Sequence, residues 1–433
     1  MKLILNSLNY SPELTGIGKY NGEMCPELVK RGIDVSAFVA TPYYPEWKVH
    51  KGYSKWWYSQ ENDQGVAITR CPLYVPSKVS TIKRVLHLAS FSFSSGMALK
   101  SKLFSKPDVI ILVQPTLFCA PFTLLFAKLT GAKAVMHIQD FEIDAMFGLG
   151  MMGKGAAARF AQKIEIWLMK KFDAISTISY SMIENAKNKG VAENKLIYFP
   201  NWSDTHFVTP ITSGATLKAE WGFAASDKII LYAGNIGKKQ GLEIILEAAA
   251  SLKHFPAVKF VIVGAGVHVA TLLSLSNKMN LENVFFEPLQ PWERVPGMLA
   301  LADIHLVVQK KGTANAVLPS KLTNILSAGG HALVTAEPDT ELGRLAEQTP
   351  GIFTCIEPEN TDCFVEAIKQ LLANDLTEYN KVARAFAEEY LAKDKIIDHF
   401  VADLEAVVGT KIKAIQEHVP EPEPSRASSK EAE

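Results

Sequence analysis

The chain has no net charge to offer a polyanion, since 45 Lys and Arg stand against 45 Asp and Glu. A general nucleic-acid binder carries a basic excess, so that class is set aside. Cysteine is sparse and scattered. Cys25, Cys71, Cys119, Cys355 and Cys363 form no CxxC pair, which argues against a metal cluster or a disulfide framework and fits a reducing compartment. No signal peptide is expected, because Met1-Lys2 runs straight into Leu3-Ile4-Leu5 and Asn6, Ser7 and Asn9 end the apolar run. One uncharged run, 109–127, has the length of a membrane span, but Pro115 and Pro121 interrupt it, with Gln114 and Thr116 between. It reads instead as a buried strand, a loop and a helix starting near Pro121. Acid is missing locally. Between Asp63 and Asp108 there is no Asp or Glu, while Arg70, Lys78, Lys83, Arg84, Lys100, Lys102 and Lys106 are present.

The rest of the composition is that of a large soluble core. With 433 residues and 48% hydrophobic content, two domains of ordinary size are expected. The stretch 229–252 organises the second of them. Ile229-Ile230-Leu231-Tyr232 has the length of a buried strand, and a loop punctuated by Gly234, Gly237 and Gly241 follows. Leu242, Ile245, Leu246 and Ala249 then recur at helical spacing. Strand, glycine loop and helix present backbone N–H groups and a helix N-terminus to an anion, with Lys238 and Lys239 adding charge. The same residues also suit an ordinary βα turn with surface lysines.

Read in order, the first domain alternates strands near 2–8, 35–40, 109–113, 134–138, 174–178 and 196–199 with helices near 19–31, 81–102, 121–129, 157–171 and 181–189. Residues 42–58, rich in Tyr, Trp and Pro, read as a long aromatic loop. The second domain repeats the alternation, with strands near 229–232, 259–263, 284–286, 304–308 and 332–334. A final helix is expected over 390–408. The expected divisions are 1–204, 205–389, the helix 390–408 packing back on the first domain, and a disordered tail over 409–433. Strands alternating with helices imply an α/β fold with parallel, doubly wound sheets. The polar loops at 15–18, 137–140, 234–241 and 312–320 all fall at predicted carboxyl ends of strands. That is where such sheets bind ligands.

Three runs carry a resemblance. They are Tyr10-Ser11-Pro12-Glu13-Leu14-Thr15-Gly16-Ile17-Gly18-Lys19-Tyr20, Thr41-Pro42-Tyr43-Tyr44-Pro45-Glu46-Trp47 and Leu318-Pro319-Ser320-Lys321-Leu322-Thr323-Asn324-Ile325-Leu326. With the 229–252 stretch, the chain resembles the retaining glycosyltransferases of family 4 over about residues 1–408. The narrower likeness is to fucosyltransferase-like enzymes of colanic-acid and related exopolysaccharide assembly. The resemblance implies the GT-B fold, in which two Rossmann-like domains, an acceptor domain and a nucleotide-sugar donor domain, face each other across a cleft.

It also implies roles, residue by residue. Gly16 and Gly18 match the glycine loop that approaches the donor diphosphate and the acceptor. His137 matches a histidine near the reacting sugar, with Asp140 placed to position it; a strand-end histidine of purely structural role is the other reading. Gly234, Asn235, Gly237, Lys239 and Gln240 match the diphosphate loop. The Arg and Lys that the family usually carries there fall on Asn235 and Gln240, which leaves Lys239 as the first choice of cation. Pro288 and Leu289 match the loop where the base packs. Ser320 and Lys321 match the segment beside the phosphates, and the family's glutamate pair falls on Ala316 and Asn324. Asn324 can still hydrogen-bond a hydroxyl.

Breaking a glycosyl–phosphate bond builds negative charge on the leaving diphosphate, which fixed donors and lysines stabilise. No Asp-x-Asp pair occurs in the sequence. A metal-independent route with no cofactor is therefore expected, the nucleotide-diphosphate sugar being substrate. The resemblance implies a donor such as GDP-fucose and a lipid-linked oligosaccharide acceptor at the inner face of the cell membrane. Lys83, Arg84, Lys100 and Lys102, interleaved with Val85, Leu86, Leu88, Phe91, Phe93, Met97 and Leu99, suit docking on anionic headgroups, with Trp56 and Trp57 as interfacial anchors. An apolar face turned to the domain core is the alternative. A dehydrogenase reading of Gly264-Ala265-Gly266 fails because the fingerprint's third glycine falls on Val269. A GT-B epimerase or phosphorylase fits on fold alone, and a catalytically degenerate GT-B subunit that binds nucleotide-sugar or a partner enzyme without turnover is the non-enzyme rival.

Overall fold

The computed structural model describes residues 1–13, 16–77, 80–141, 156–312 and 319–409. Two sheets form two doubly wound domains. In the first, eight strands lie in the order β3-β4-β2-β1-β5-β6-β7-β8. They are β1 (Lys2–Ser7), β2 (Asp34–Ala40), β3 (Ser59–Asp63), β4 (Val66–Cys71), β5 (Val109–Gln114), β6 (Lys133–Ile138), β7 (Ala174–Thr177) and β8 (Leu196–Tyr198). All pairs are parallel except β3 with β4. In the second, six parallel strands lie in the order β11-β10-β9-β12-β13-β14. These are β9 (Lys228–Ala233), β10 (Val258–Val263), β11 (Val284–Glu287), β12 (Ile304–Val307), β13 (Ala332–Thr335) and β14 (Thr354–Ile356).

The central strands read as unbroken apolar runs because helices cover both faces. Every residue of β5, VIILVQ, is buried, and Leu5 of β1 pairs with Ala37 on one side and Ile111 on the other. Each sheet reverses its winding once, between β1 and β5 in the first and between β9 and β12 in the second. Such reversals open a crevice at the carboxyl ends of the two strands.

One face of the first sheet packs α2 (Thr81–Leu99), α3 (Ala120–Thr130), α4 (Ala156–Met169) and α5 (Tyr180–Asn188), through Leu88, Phe91, Phe126, Leu168, Met169 and Met182. The run 109–127 is thus β5 and α3 joined by a loop, and no described helix is long and apolar enough to cross a membrane. The other face packs α1 (Gly16–Lys30) together with the last described helix, Lys393–Val408. From that helix Ile396, Ile397, Phe400 and Leu404 enter the first domain's core, and Phe400 stacks on Phe199 at 3.7 Å. Arg31, the residue after α1, pairs with Asp398 at 2.5 Å and with Asp394 at 3.4 Å.

The chain therefore crosses between the domains twice, and the crossings touch. Ser203 and Ala392 form a parallel bridge, the Ser203 N–H donating to Leu391 O at 2.9 Å and the Lys393 N–H to Ser203 O at 3.1 Å. This pairing explains one departure from the sequence reading. The expected helix 390–408 is broken at Ala392, whose backbone is extended (φ −66, ψ 121) to make the bridge, and a π-turn, Ala387–Leu391, precedes the break. A second departure is the hairpin β3–β4 at the end of the expected aromatic loop. Gln64 and Gly65 have φ of 51° and 88°, the backbone of a tight hairpin turn. Edge strand β3, SQEND, is polar and lacks the apolar alternation that reveals a strand.

Candidate active site

The carboxyl ends of β1 and β9 both lead into glycine loops, and both loops converge on the start of the helix Ser320–Ser327, the first through Tyr20 and the second through Gly234. On the first domain, Gly16 and Gly18 form the N-terminal turn of α1. A Cβ at Gly18 would lie 2.7 Å from the Cβ of Glu13, so the glycine lets the helix settle on that side chain. Glu13 is a residue the sequence reading passed over. Its carboxylate is buried and accepts from the Tyr43 and Tyr44 N–H groups at 3.1 and 3.0 Å and from Asn9 Nδ2 at 2.8 Å. Burial pushes its pKa above the usual carboxylate value. It buckles the glycine-loop segment to the Thr41–Trp47 run, two of the three runs that stood out in the sequence. Nothing in local sequence marks it, because its partners lie about thirty residues away.

His137, expected at the reacting sugar, is enclosed at the end of β6. Its Nδ1 lies 2.9 Å from Ser176 Oγ and its Nε2 2.8 Å from Gln139 Nε2, while its ring packs edge-on against Phe199 at 5.2 Å. Burial pushes its pKa down to about 3, so the imidazole is neutral. It carries one proton, which Nδ1 donates to Ser176 while Nε2 accepts from the Gln139 amide. Among the described residues both nitrogens are thus engaged inside the domain. The geometry makes His137 a support for the turn at Gln139. Asp140, one residue further, is the exposed group at that strand end.

On the second domain, Gly234 leaves β9 with φ of 150°. The Gly234 N–H donates to Val263 O and the Ile236 N–H to Ala265 O, both at 2.9 Å, so the loop continues the pairing of β9 with β10. Gly264 and Gly266 back it directly: a Cβ on either would collide with the carbonyl oxygen of Gly234 or of Ile236. The sequence reading weighed these two as part of a dinucleotide fingerprint. Gln240 accepts from the Gly237 N–H at 3.2 Å and closes the loop on itself, while Asn235 and Lys238 are exposed. The side chain of Lys239, the expected cation, lies outside the described residues, as do Ala316 and the rest of 313–318. Pro288 and Leu289 are exposed beyond β11, beside the loop of β10, whose Gly264 N–H donates to Glu287 O at 3.0 Å.

The helix after β12, Ser320–Ser327, brings Lys321 in its first turn back over Gly234. Lys321 Nζ sits 3.8 Å from the centre of the Tyr232 ring. Burial draws its pKa down to about 7. Ser320 is exposed at the helix start, whereas Asn324 turns to the interdomain connection, its Oδ1 accepting from Ser203 Oγ at 2.9 Å.

The two rims meet. The buried Tyr20 side chain of α1 faces Ser320 and Thr323, and its ring packs edge-on to Trp202 at 5.0 Å. Lys19 Nζ stands 4.4 Å over the ring of Trp292. Further along the cleft, Ser181 of α5 donates to Glu341 at 2.8 Å, and burial raises the pKa of that carboxylate. Glu341 also escaped the sequence reading, its partner being 160 residues away.

Away from the cleft, α2 divides its apolar residues between two environments. Leu88, Phe91 and Leu99 are in the core, while Val85, Leu86, Phe93 and Met97 are exposed. Trp56 and Trp57 are 72% and 76% exposed. Arg84 and Lys100 are exposed and Lys83 and Lys102 half-buried. On the same face of the domain, Phe122, Leu125 and Leu129 of α3 and Phe160, Ile164 and Trp167 of α4 are also exposed.

Two doubly wound domains with their sheet reversals opposed across a cleft make this a GT-B glycosyltransferase fold. Residues 15–202 match the glycosyl transferase 4-like domain and residues 215–389 the glycosyl transferases group 1 domain, and the chain belongs to that family. It is 48% identical over 409 residues to a protein of Escherichia coli (strain K12) named as a colanic acid biosynthesis glycosyl transferase, WcaI, a match covering 93% of this chain and 100% of that one. Among solved structures, sucrose-phosphate synthase from Thermosynechococcus elongatus is similar with a TM-score of 0.73 at 14% identity, over 94% of this chain and 99% of that one. HepE from Anabaena, in complex with UDP and glucose, gives 0.67 at 13% identity, over 94% and 100%. At these identities the solved structures bear on the fold alone.

Proposed function

We propose that the chain transfers a sugar, with retention, from a nucleotide-diphosphate donor to a lipid-linked oligosaccharide of exopolysaccharide assembly such as colanic acid. GDP-fucose is the donor favoured by the resemblance to the fucosyltransferase-like enzymes of this assembly. One observation carries the reading: the glycine loops after β1 and β9, each at the reversal point of its sheet, converge on the start of the helix after β12. The bond from C1 of the sugar to the β-phosphate oxygen breaks, and a bond to the acceptor oxygen forms on the same face. The acceptor proton passes to the β-phosphate oxygen. Loop N–H groups and nearby cations stabilise the leaving diphosphate without a metal held by an Asp-x-Asp pair.

Thermal shift against GDP-fucose, UDP-glucose, a dTDP-sugar and a CMP-sugar tests the donor step, followed by hydrolysis or transfer with the responding sugar. A ligand at 100 times its Kd adds about 2.7 kcal/mol. A rise in melting temperature with GDP-fucose, and its turnover, are expected. Binding without any turnover would instead make the chain a non-catalytic subunit, and no response to any donor would overturn the reading.

The acceptor's lipid implies work at the cytoplasmic face of the inner membrane, and the exposed apolar residues of α2, α3 and α4 beside Arg84 and Lys100 support docking there. Each cation near anionic headgroups contributes about 1 kcal/mol. Sedimentation with anionic but not neutral liposomes is expected, reversed by raised salt. Changing Lys83, Arg84, Lys100 and Lys102 to Glu should abolish it while donor hydrolysis survives. A wild-type protein that stays in the supernatant with anionic vesicles at low salt would exclude the docking surface.

A further inference from the structure

The two positions of the diphosphate loop where the resemblance places an Arg and a Lys hold none here, and the side chain of Lys239 lies outside the described residues. Asn235 and Gln240 are neutral, and Gln240 is committed to the Gly237 N–H. Lys238 is exposed to solvent, and Lys311 is drawn off to Glu357 at 3.6 Å. Lys321 differs from them. It is half-buried, and among the described residues no carboxylate or hydrogen-bond acceptor faces its ammonium, only the Tyr232 ring. A charge withdrawn from water without a counter-ion is unfavourable, and the fold tolerates it only where something else compensates.

Its position says what the missing partner is. Lys321 belongs to the helix that follows β12 and lies against Tyr232 and Gly234 at the end of β9, and β9 and β12 are the strands at which the second sheet reverses. It stands in the first turn of an eight-residue helix, whose unpaired N–H groups also favour an anion. Its Cε and Nζ would both lie 3.2 Å from a Cβ at Gly234, so the absence of a side chain there leaves the ammonium open towards the loop. An anion lying on the Gly234 backbone would meet the loop, the helix start and the ammonium together.

We propose that Lys321 supplies the positive charge that grips the donor's diphosphate, reaching from the helix after β12 into the loop after β9. The proposal rests on the nucleotide-diphosphate reading of the cleft. It makes the binding of donor a protonation-dependent event. Below pH 7 the ammonium is present in the free protein; above it the free amine dominates, because burial has lowered the pKa to about 7. A bound diphosphate restores the charged form, so affinity falls as pH rises above 7. The charged or titratable neighbours are Tyr232 beneath the ammonium, Tyr20 across the cleft and Lys310 beside Gly241. Burial pushes both phenols upward, so neither titrates in this window.

The test compares wild type with Lys321→Met and Lys321→Gln, using GDP-fucose and UDP-glucose as probes and guanosine and uridine as controls. The sugar nucleotides suit the pH series because their diphosphates do not ionise near neutrality. Both variants are expected to fold with an undiminished melting temperature. They should bind the responding sugar nucleotide about 10- to 100-fold more weakly and its nucleoside equally well. Wild-type affinity should fall between pH 7 and 9, by up to tenfold per unit, and the variants' should not. Adding Gln240→Lys to Lys321→Met should recover binding in part. Variants that bind the sugar nucleotide within twofold of wild type, or that lose nucleoside binding to the same degree, would overturn the assignment of Lys321 alone. A wild type that binds none of the probes would overturn the donor reading with it.

Discussion

Replacing Gly264 with alanine is expected to abolish sugar-nucleotide binding and to lower the melting temperature by about 10 °C, a loss above the 4 kcal/mol that ordinary substitutions rarely reach. Two effects add. The φ of 149° is one that a residue with a Cβ rarely adopts, and the new methyl would be driven into the Gly234 carbonyl oxygen. The collision cannot be relieved by a side chain turning away, because the obstacle is backbone. Either the loop after β9 moves off the loop after β10, or the hydrogen bonds from Gly234 to Val263 and from Ile236 to Ala265 stretch. Both outcomes displace the loop on which the diphosphate is proposed to lie. Gly222→Ala is the control. Its φ is also positive, at 79°, but its Cβ would meet nothing. Only the backbone term of about 1–2 kcal/mol should appear, with binding intact. Melting curves and titrations on the two variants decide the matter, and equal behaviour would show that the loops do not depend on that contact.

Ending the chain after residue 390 should cost the first domain its fold, although the removed helix is the last described element of the sequence. Ile396, Ile397, Phe400 and Leu404 each fill that domain's core. At about 1.5–3 kcal/mol per buried side chain, their loss approaches the whole stability of an ordinary domain. The truncated protein is expected to lose the cooperative unfolding transition of residues 1–204 in calorimetry while the second domain still melts. Phe400→Ala offers a milder version, expected to cost about 3–5 kcal/mol. A truncated chain with both transitions unchanged would mean that the helix merely covers a domain already complete.

The sequence made some features legible because their signals are local. The central strands are apolar runs, since both faces of each sheet are covered, and the glycine loops announce backbone geometries that other residues resist. Gly234 and Gly16 could be found that way. Hairpin β3–β4 could not, because a polar edge strand has no inner face to pattern. In the site, the limits came from direction. The strand-end position of His137 was readable, but not that its ring would lie against Ser176 and Gln139. The direction of Lys321 was equally hidden, since it depends on the helix after β12 lying across the start of the loop after β9. Glu13 and Glu341 are defined by partners far along the chain, and no spacing rule reaches them.

The bridge between Ser203 and Ala392 has a mechanical consequence. A single linker would let the domains both bend and swivel about it. Two linkers side by side, tied by the bonds from Ser203 to Leu391 and from Lys393 to Ser203, behave as one axle. Swivelling shears those bonds, whereas bending across them leaves them intact. The pairing therefore favours opening and shutting, as of a book on its spine, over twisting. Each shutting then returns the start of α1 to the same place opposite Ser320 and Thr323.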